Sequence, residues 1–281
     1  MGMFATAGLA ASILFGKAKY VFVALKLTKM APLASMVISS FAYSFIFGWP
    51  YAVGMVGLIF FHECGHALVM KRFGVPFSPM VFVPFMGAVI VMKDKPRNVY
   101  DEALIAFGGP VAGSAAALGT GMVGVALDSQ LLIALADFGY MVNLFNLLPI
   151  GSLDGGRIGS AISPWIGVAG LAGGGALIYT SAISNPIFYL IMLSGTYTTT
   201  SRLLGWDKEE GDPQDDYHKT TRTQQTTLLT GYVALVAALL YAIKENDKLR
   251  KTPKELQRNL DGDGSDPKGD GVYDDYFGKS N

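Results

Sequence analysis

The stretch HECGH, residues 62–66, places two histidines and a glutamate inside an otherwise apolar run. Residues four apart in a helix project from one face about one turn apart, so His62 and His66 are able to bind the same metal ion. Glu63 lies beside that ion, where a general base is needed. This is the H-E-x-x-H zinc signature, and it predicts one Zn²⁺ per chain.

A catalytic zinc ion takes three protein ligands and a water molecule, so a third ligand must come from elsewhere in the chain. The candidate carboxylates are those of Asp94, Asp101, Glu102, Asp128, Asp137 and Asp154. Asp154 stands out because it follows a helix that Pro149 interrupts. It also precedes two glycines, which permit a close approach of the backbone.

The composition predicts an all-α polytopic protein, integral to a membrane and multi-pass. Of its 281 residues 51% are apolar and only 16% are charged, with a mean hydropathy of +0.37, whereas soluble domains average about 25% charged residues. The net charge of zero gives no reason to expect nucleic acid as a partner. The single cysteine, Cys64, excludes an intramolecular disulfide, and we expect it to pack on the helix face opposite His62.

Seven apolar runs approach or exceed the length needed to cross a bilayer, so we predict about 6–7 transmembrane helices. They are residues 31–48, 51–70, 103–127, 131–149, 161–182, 186–204 and 225–243. Between the second and third, residues 75–97 are rich in proline and β-branched residues, which predicts a short β-like or re-entrant segment. If each predicted helix crosses the bilayer once, the two histidines and Asp154 lie at similar depth near the same face of the membrane. The basic loops make that side the cytosol-like face.

The same patterns divide the chain into five parts. We expect an apolar and basic interfacial segment over 1–30, a catalytic transmembrane core over 31–206 and an acidic loop over 207–224. A C-terminal transmembrane helix over 225–243 and a charged, disordered tail over 244–281 follow. The tail is the predicted contact for an adaptor or complex partner.

Two motifs together carry a family resemblance. HECGH at 62–66 is followed, at 146–155, by NLLPIGSLDG, which fits the pattern N-x-x-P-x-x-x-x-D-G. With these motifs the chain resembles the site-2 protease family of intramembrane zinc metalloproteases (peptidase family M50) over roughly residues 31–206. One departure is visible: many members have G-P-x-x-N on the helix between the motifs, and here Gly113 occupies the position of the asparagine.

The resemblance implies a role for each matching residue. His62, His66 and Asp154 would bind the zinc ion, and Glu63 would deprotonate a water molecule on it. Asn146 would hold the substrate backbone or stabilise the developing oxyanion, with Asn143 as a second, lower-ranked candidate. Strands within 80–92 would pair with an unwound substrate by strand addition. The predicted substrate contacts are Asn143, Val81, Val83 and Gly87.

We therefore expect an intramembrane zinc metalloprotease that cleaves transmembrane or membrane-anchored proteins near the cytosol-like face of the bilayer. Two alternatives stay open. A catalytically silent relative would serve as a scaffold or subunit in a membrane assembly, without cleavage that depends on Glu63. A transporter would use the histidines and carboxylates as a proton or metal pathway, and it would lose flux when Glu63 is replaced by Gln.

Overall fold

The computed structural model describes residues 30–205, except 182 and 184, and residues 217–251. The predictions for residues 1–29, for most of the acidic loop and for the tail beyond 251 lie outside the described residues. The described elements are α1 Ala31–Phe47, α2 Trp49–Phe73, β1 Val81–Val83, β2 Gly87–Val89, α3 Val99–Ala126, α4 Gln130–Asn146, α5 Asp154–Ile162, α6 Pro164–Tyr179, α7 Pro186–Leu204 and α8 Arg222–Asp247. The predicted fold class, all-α with a short β-like segment, is confirmed.

Two glycines delimit the helix that carries the HECGH motif. Gly48 has φ +77° and separates α1 from α2, whose first turn contains Pro50. At the other end Gly74 adopts the left-handed conformation, and its N–H donates to the carbonyls of Met70 and Lys71. This is the usual glycine C-cap. Lys71 and Arg72 in the last turn complement the helix dipole.

A small antiparallel hairpin lies between α2 and α3. Its turn is closed by the Met86 N–H, which donates to the carbonyl of Val83. Pro84 and Phe85 are the central residues, and Phe85 has φ +65°, as a type II turn requires at its third position. Phe85 is held in this uncommon conformation by α1, because its N–H donates to the Tyr43 hydroxyl.

One edge of the hairpin is covered by α1, and the other has no backbone partner among the described residues. Phe82 pairs with Ala88 across the two strands, and the Phe82 N–H points away from β2, toward the Ser35 hydroxyl of α1. In an antiparallel ladder this makes Phe82 and Ala88 a non-hydrogen-bonded pair. The N–H and C=O of Ala88 therefore also point outward, on the side away from β1.

Helices α2 and α3 pack with their backbones in direct contact. A Cβ atom on Gly65 would lie 2.0 Å from the Gly108 carbonyl oxygen, and one on Gly108 would lie 2.5 Å from that of Gly65. Only glycine fits at such a crossing, and small residues are what allow close helix packing in lipid. The contact brings α3 directly against the histidine-bearing turn of α2.

The helix predicted over 161–182 corresponds to α6, and a further short helix that was not predicted, α5, precedes it. α5 ends at Ile162 and α6 begins at Pro164, with Ser163 between them. The Ser163 side chain accepts from the Trp165 N–H, so it caps α6, and proline is favoured in a first turn. Helix α8 begins at Arg222 and continues to Asp247, so it extends past both ends of the predicted span over 225–243. It thus includes residues assigned above to the acidic loop and the tail.

The apolar helices fit a membrane protein. Among the described residues, Trp49–Phe73, Val99–Ala126 and Arg222–Asp247 are long and apolar enough to cross a bilayer, and Ala31–Phe47 and Pro164–Tyr179 are shorter apolar helices. Large apolar side chains such as Phe45, Leu68 and Leu193 face outward. A count of 6–7 spans stays a prediction.

Candidate metal centre

Three potential ligand atoms converge between α2 and the start of α5. The His62 Nε2 and His66 Nε2 atoms are 3.1 Å apart. The Asp154 Oδ2 atom lies 3.2 Å from the first nitrogen and 3.4 Å from the second. All three residues are buried. The structure therefore brings together the two histidines and the carboxylate that the sequence placed at similar depth.

The Nδ1 atom of each imidazole ring, on the side away from Asp154, has a hydrogen-bond partner. The Nδ1 of His66 lies 2.8 Å from the carbonyl oxygen of Ile105, which can only accept a hydrogen bond. The Nδ1 of His62 lies 2.8 Å from Oδ1 of Asn143. With Nδ1 protonated in each ring, both Nε2 atoms present lone pairs toward Asp154. Such support through the second ring nitrogen is typical of metal-binding histidines.

Gly109 of α3 leaves the space between the ligands open. A Cβ atom at this position would lie 2.2 Å from His66 Nε2 and 2.7 Å from His62 Nε2. A side chain here would therefore occupy the space that the three ligand atoms surround. Pro110 follows inside the same helix and lacks the N–H of a regular helix, so α3 is irregular where it passes the centre.

After α4 the chain makes a tight turn, and this turn positions Asp154 at the start of α5. A Cβ atom on Gly155 would lie 2.0 Å from the Leu147 carbonyl oxygen, and one on Gly156 would lie 2.4 Å from that of Gly151. The start of α5 is thus pressed against the segment around Pro149. The Tyr232 hydroxyl of α8 donates to the same Leu147 carbonyl and fixes this segment from the other side.

The donor set fits a zinc ion. Donor atoms about 2.1 Å from a tetrahedral zinc ion lie about 3.4 Å from one another, close to the separations observed. The Asp154 Oδ2 atom is buried and has no hydrogen-bond partner in the described part of the chain. When both imidazole rings are neutral with hydrogen on Nδ1, three lone-pair donors face one another here, and a cation resolves that arrangement. The buried group could hold one metal ion.

Glu63 and Asn146 face the space in front of the ligands. Glu63 is buried and borders two adjoining cavities of about 440 and 350 Å³, and Asn146 borders both as well. The Asn146 amide donates to the Val142 carbonyl through one of its two hydrogens, which leaves the second for another acceptor. A base and an amide donor thus lie at the same opening.

The other predicted substrate contacts are distributed unevenly around this opening. Gly87 borders the smaller cavity, together with Met86 and Ala88. Val81 and Val83 belong to β1, which lies between β2 and α1 and borders neither of these cavities. Asn143 is buried behind His62 and borders neither cavity.

The remaining candidate carboxylates are engaged elsewhere or are not among the grouped ligands. Asp101 pairs with Arg97, Glu102 accepts from the Tyr217 hydroxyl, Asp128 pairs with Lys251, and Asp137 accepts from Asn246. Asp94 is not part of the one group of potential metal ligands found in the described chain. Asp154 is therefore the carboxylate that the fold brings to the histidines.

Two contributions to this centre escaped the sequence analysis. No role at the site was predicted for Gly109, although a Cβ atom there would lie against the ligand nitrogens. The contact of the Ile105 carbonyl could not be predicted from a motif, because every residue has a backbone carbonyl. Pro110 next to Gly109 was the available signal, since proline within a helix marks an irregularity.

Comparison with known proteins also supports a metal site at the HECGH motif. Residues 50–130 match the model of peptidase family M50. A zinc metalloprotease of Methanocaldococcus jannaschii is 32% identical over 106 residues, which cover 36% of this chain and 30% of that protein. The matched region thus spans less than a third of this curated relative. No solved structure matches the chain. Residues 50–130, which contain the HECGH motif, are thus similar to peptidase family M50, and the structure places the two histidines of that motif beside Asp154.

Proposed function

We propose that the protein is an intramembrane zinc metalloprotease of the site-2 protease type, which hydrolyses peptide bonds in transmembrane or membrane-anchored proteins. The observation that carries the proposal is the convergence of His62, His66 and Asp154 within 3.4 Å, with Glu63 at the adjoining cavity. The apolar helices around the centre favour a substrate that lies in the same bilayer.

The three ligand side chains would hold the zinc ion. When bound there, zinc acts as a Lewis acid and lowers the pKa of a coordinated water molecule to about 7. The Glu63 carboxylate would accept a proton from the attacking water and pass it to the amine that leaves. The free hydrogen of the Asn146 amide would be donated to the carbonyl oxygen of the scissile bond as negative charge develops on it.

The free edge of β2 would bind the unwound substrate. Ala88 directs its N–H and C=O away from β1, and Ala88 borders both cavities that Glu63 borders. An extended peptide that pairs with this edge would have its backbone aligned beside the metal centre. We place the substrate contact on β2 rather than on Val81 and Val83, because β1 is already covered on both edges.

The test compares wild-type protein with a Glu63→Gln variant. Gln has nearly the shape of Glu but does not accept the proton, and general-base catalysis contributes about 10²- to 10⁴-fold. We expect membrane proteomes from cells with the wild-type protein to contain fragments whose new ends lie within spans. The variant should lack them while keeping one zinc per chain.

The contrary outcomes are distinct. Equal fragments with both proteins would contradict the role of Glu63. Zinc binding by the wild-type protein without any cleavage would identify a silent relative. Flux through vesicles that disappears in the Glu63→Gln variant, again without cleavage, would identify a transporter.

A further inference from the structure

Asn143 lies on α4 one turn before Asn146, but its side chain enters the helix interface rather than the cavity. It is only 2% exposed. Its carboxamide lies between the His62 ring and the backbone of its own helix. This position is behind the metal ligand as seen from the cavity, where a bound peptide would not reach it.

The hydrogen bonds of Asn143 fix the orientation of its carboxamide. Its Nδ2 donates to the Gly139 carbonyl at 2.7 Å. A carbonyl can only accept, so the amide nitrogen must face Gly139 and the amide oxygen must face His62. An oxygen acceptor 2.8 Å from His62 Nδ1 requires that this nitrogen carry the hydrogen. The lone pair of His62 is thereby placed on Nε2, the atom that faces Asp154.

Gly113 of α3 provides the space for this carboxamide. A Cβ atom at position 113 would lie 2.3 Å from Asn143 Oδ1 and 2.7 Å from Asn143 Nδ2. In an asparagine, standard bond lengths separate Cβ from Oδ1 by about 2.4 Å. An asparagine on α3 at position 113 would therefore have its own amide oxygen within reach of the point where that of Asn143 lies now. The oxygen that accepts from His62 Nδ1 could therefore come from an asparagine on α3 or from one on α4.

We infer that Asn143 is a positioning residue for the metal centre, whose oriented carboxamide holds His62 with Nε2 toward the ion, and that Gly113 exists to admit it. The inference rests on the proposed zinc site, but not on cleavage. It assigns Asn143 to the support of a metal ligand instead of to substrate contact.

The first experiment measures zinc affinity in the full-length protein by competition with a chelator. Asn143→Leu keeps the branching and approximate volume of the side chain but removes the acceptor. Loss of such a supporting contact typically weakens metal affinity about 10- to 100-fold, and we expect a change of that size. Asn246→Leu is the matched control. Asn246 is also buried, and its amide also donates to an α4 carbonyl, that of Ile133. This control should leave zinc affinity unchanged.

A second readout detects the state of the ring directly. The chain has three histidines, so the imidazole ¹⁵N signals of the metal-free protein can be assigned by single substitutions. We expect His62 to be a single tautomer with hydrogen on Nδ1 in the wild type and in Asn246→Leu. In Asn143→Leu we expect a mixture. A merely structural asparagine would not alter this signal.

An exchange variant tests the inference even if Asn143→Leu fails to fold. The double substitution Gly113→Asn with Asn143→Gly moves the carboxamide from α4 to α3. We expect it to bind zinc more tightly than Asn143→Gly alone and to recover the single His62 tautomer.

Two results would overturn the inference. In the first, the Asn143→Leu variant keeps the zinc affinity and the His62 signal of the wild type but has a raised KM for a peptide. That result would make Asn143 a substrate contact. The other is an exchange variant no better than Asn143→Gly. A wild-type protein that binds zinc but cleaves nothing would contradict the proposed function alone, since the affinities and tautomers would still support this positioning role.

Discussion

Gly109 leaves open the space between the candidate metal ligands because it has no side chain. Its Cα faces the two ligand nitrogens so closely that a methyl group would contact both of them. The requirement concerns space between helices and not a left-handed backbone, because Gly109 lies inside α3 and has no positive φ.

We expect Gly109→Ala to abolish stoichiometric zinc binding. The added methyl group would lie 2.2 Å from His66 Nε2, so the ring must move out of its bonding position. Metal content of the purified protein measures the effect. The control is Gly119→Ala on the same helix, where a Cβ meets nothing within 4 Å, and this variant should keep one zinc per chain. Full zinc in Gly109→Ala would contradict the proposed ligand geometry.

At this scale the sequence predicted the grouping of the three candidate ligands better than their surroundings. The spacing of His62 and His66 follows from helical periodicity, and Asp154 followed from counting crossings. The place of Asn143 and the meaning of Gly113 depend on which side chain of α4 enters the interface with α3. The packing of the two helices determines this, and it cannot be predicted from the residue pattern of either helix alone.

At the scale of elements, the segment between α4 and α5 is held from two sides. Glycines of α5 press against it, and Tyr232 of α8 donates a hydrogen bond to its Leu147 carbonyl. Leu147 is buried, so this carbonyl has little access to other donors. The last described helix thus stabilises the segment that delivers Asp154.

Tyr232→Phe should lower the free energy of unfolding by about 1–3 kcal/mol, because a buried carbonyl loses its partner. Unfolding of the protein in detergent measures this change. Tyr241 lies on the same helix and is 67% exposed, so Tyr241→Phe should change stability by less than about 0.5 kcal/mol. Equal effects of the two substitutions would mean that the bond to Leu147 contributes nothing.

The hairpin supplies a test of substrate pairing. Ala88→Pro removes an outward N–H without removing a bond of the β1–β2 ladder, and Ala88→Ser keeps that N–H. One lost backbone hydrogen bond, at about 0.5–1.5 kcal/mol, should lower kcat/KM by roughly 3- to 10-fold in the proline variant only. The measurement is cleavage of a membrane-anchored peptide in detergent. Unchanged kinetics in Ala88→Pro would exclude pairing at this residue.

The bounds of the long helices could be predicted from the sequence to within a few residues, but the short helix α5 was not predicted. Apolar length indicated one span over 161–182, but Ser163 and Pro164 begin a new helix there. The serine-proline pair is a readable start signal. It was outweighed by the glycine-rich apolar run that follows.

For the whole molecule, the metal ion is expected to act as a stabilising ligand between helices. In its absence two nitrogen lone pairs and the Asp154 carboxylate face one another in a buried space. Chelation should therefore lower the unfolding temperature. Zinc restored at about 100 times its Kd should return about 2.7 kcal/mol.

The Gly109→Ala variant provides the control for this experiment, since its stability should not respond to added zinc. A wild-type protein whose unfolding is unaffected by chelation would show that the ion does not bridge α2 and α5. Titration with zinc in both proteins, followed by thermal unfolding in the same detergent, separates these cases.

The ligands of this centre come from segments that the ribosome produces at different times. A growing polypeptide acquires the histidine pair early, but the completing carboxylate arrives only after α3 and α4 have been made. Until then the set of candidate ligands is incomplete, so the proposed hydrolysis could not begin. Uptake of the ion would thus require that α2 to α5 have been made and assembled, and the proposed hydrolytic activity would be withheld from the membrane until then.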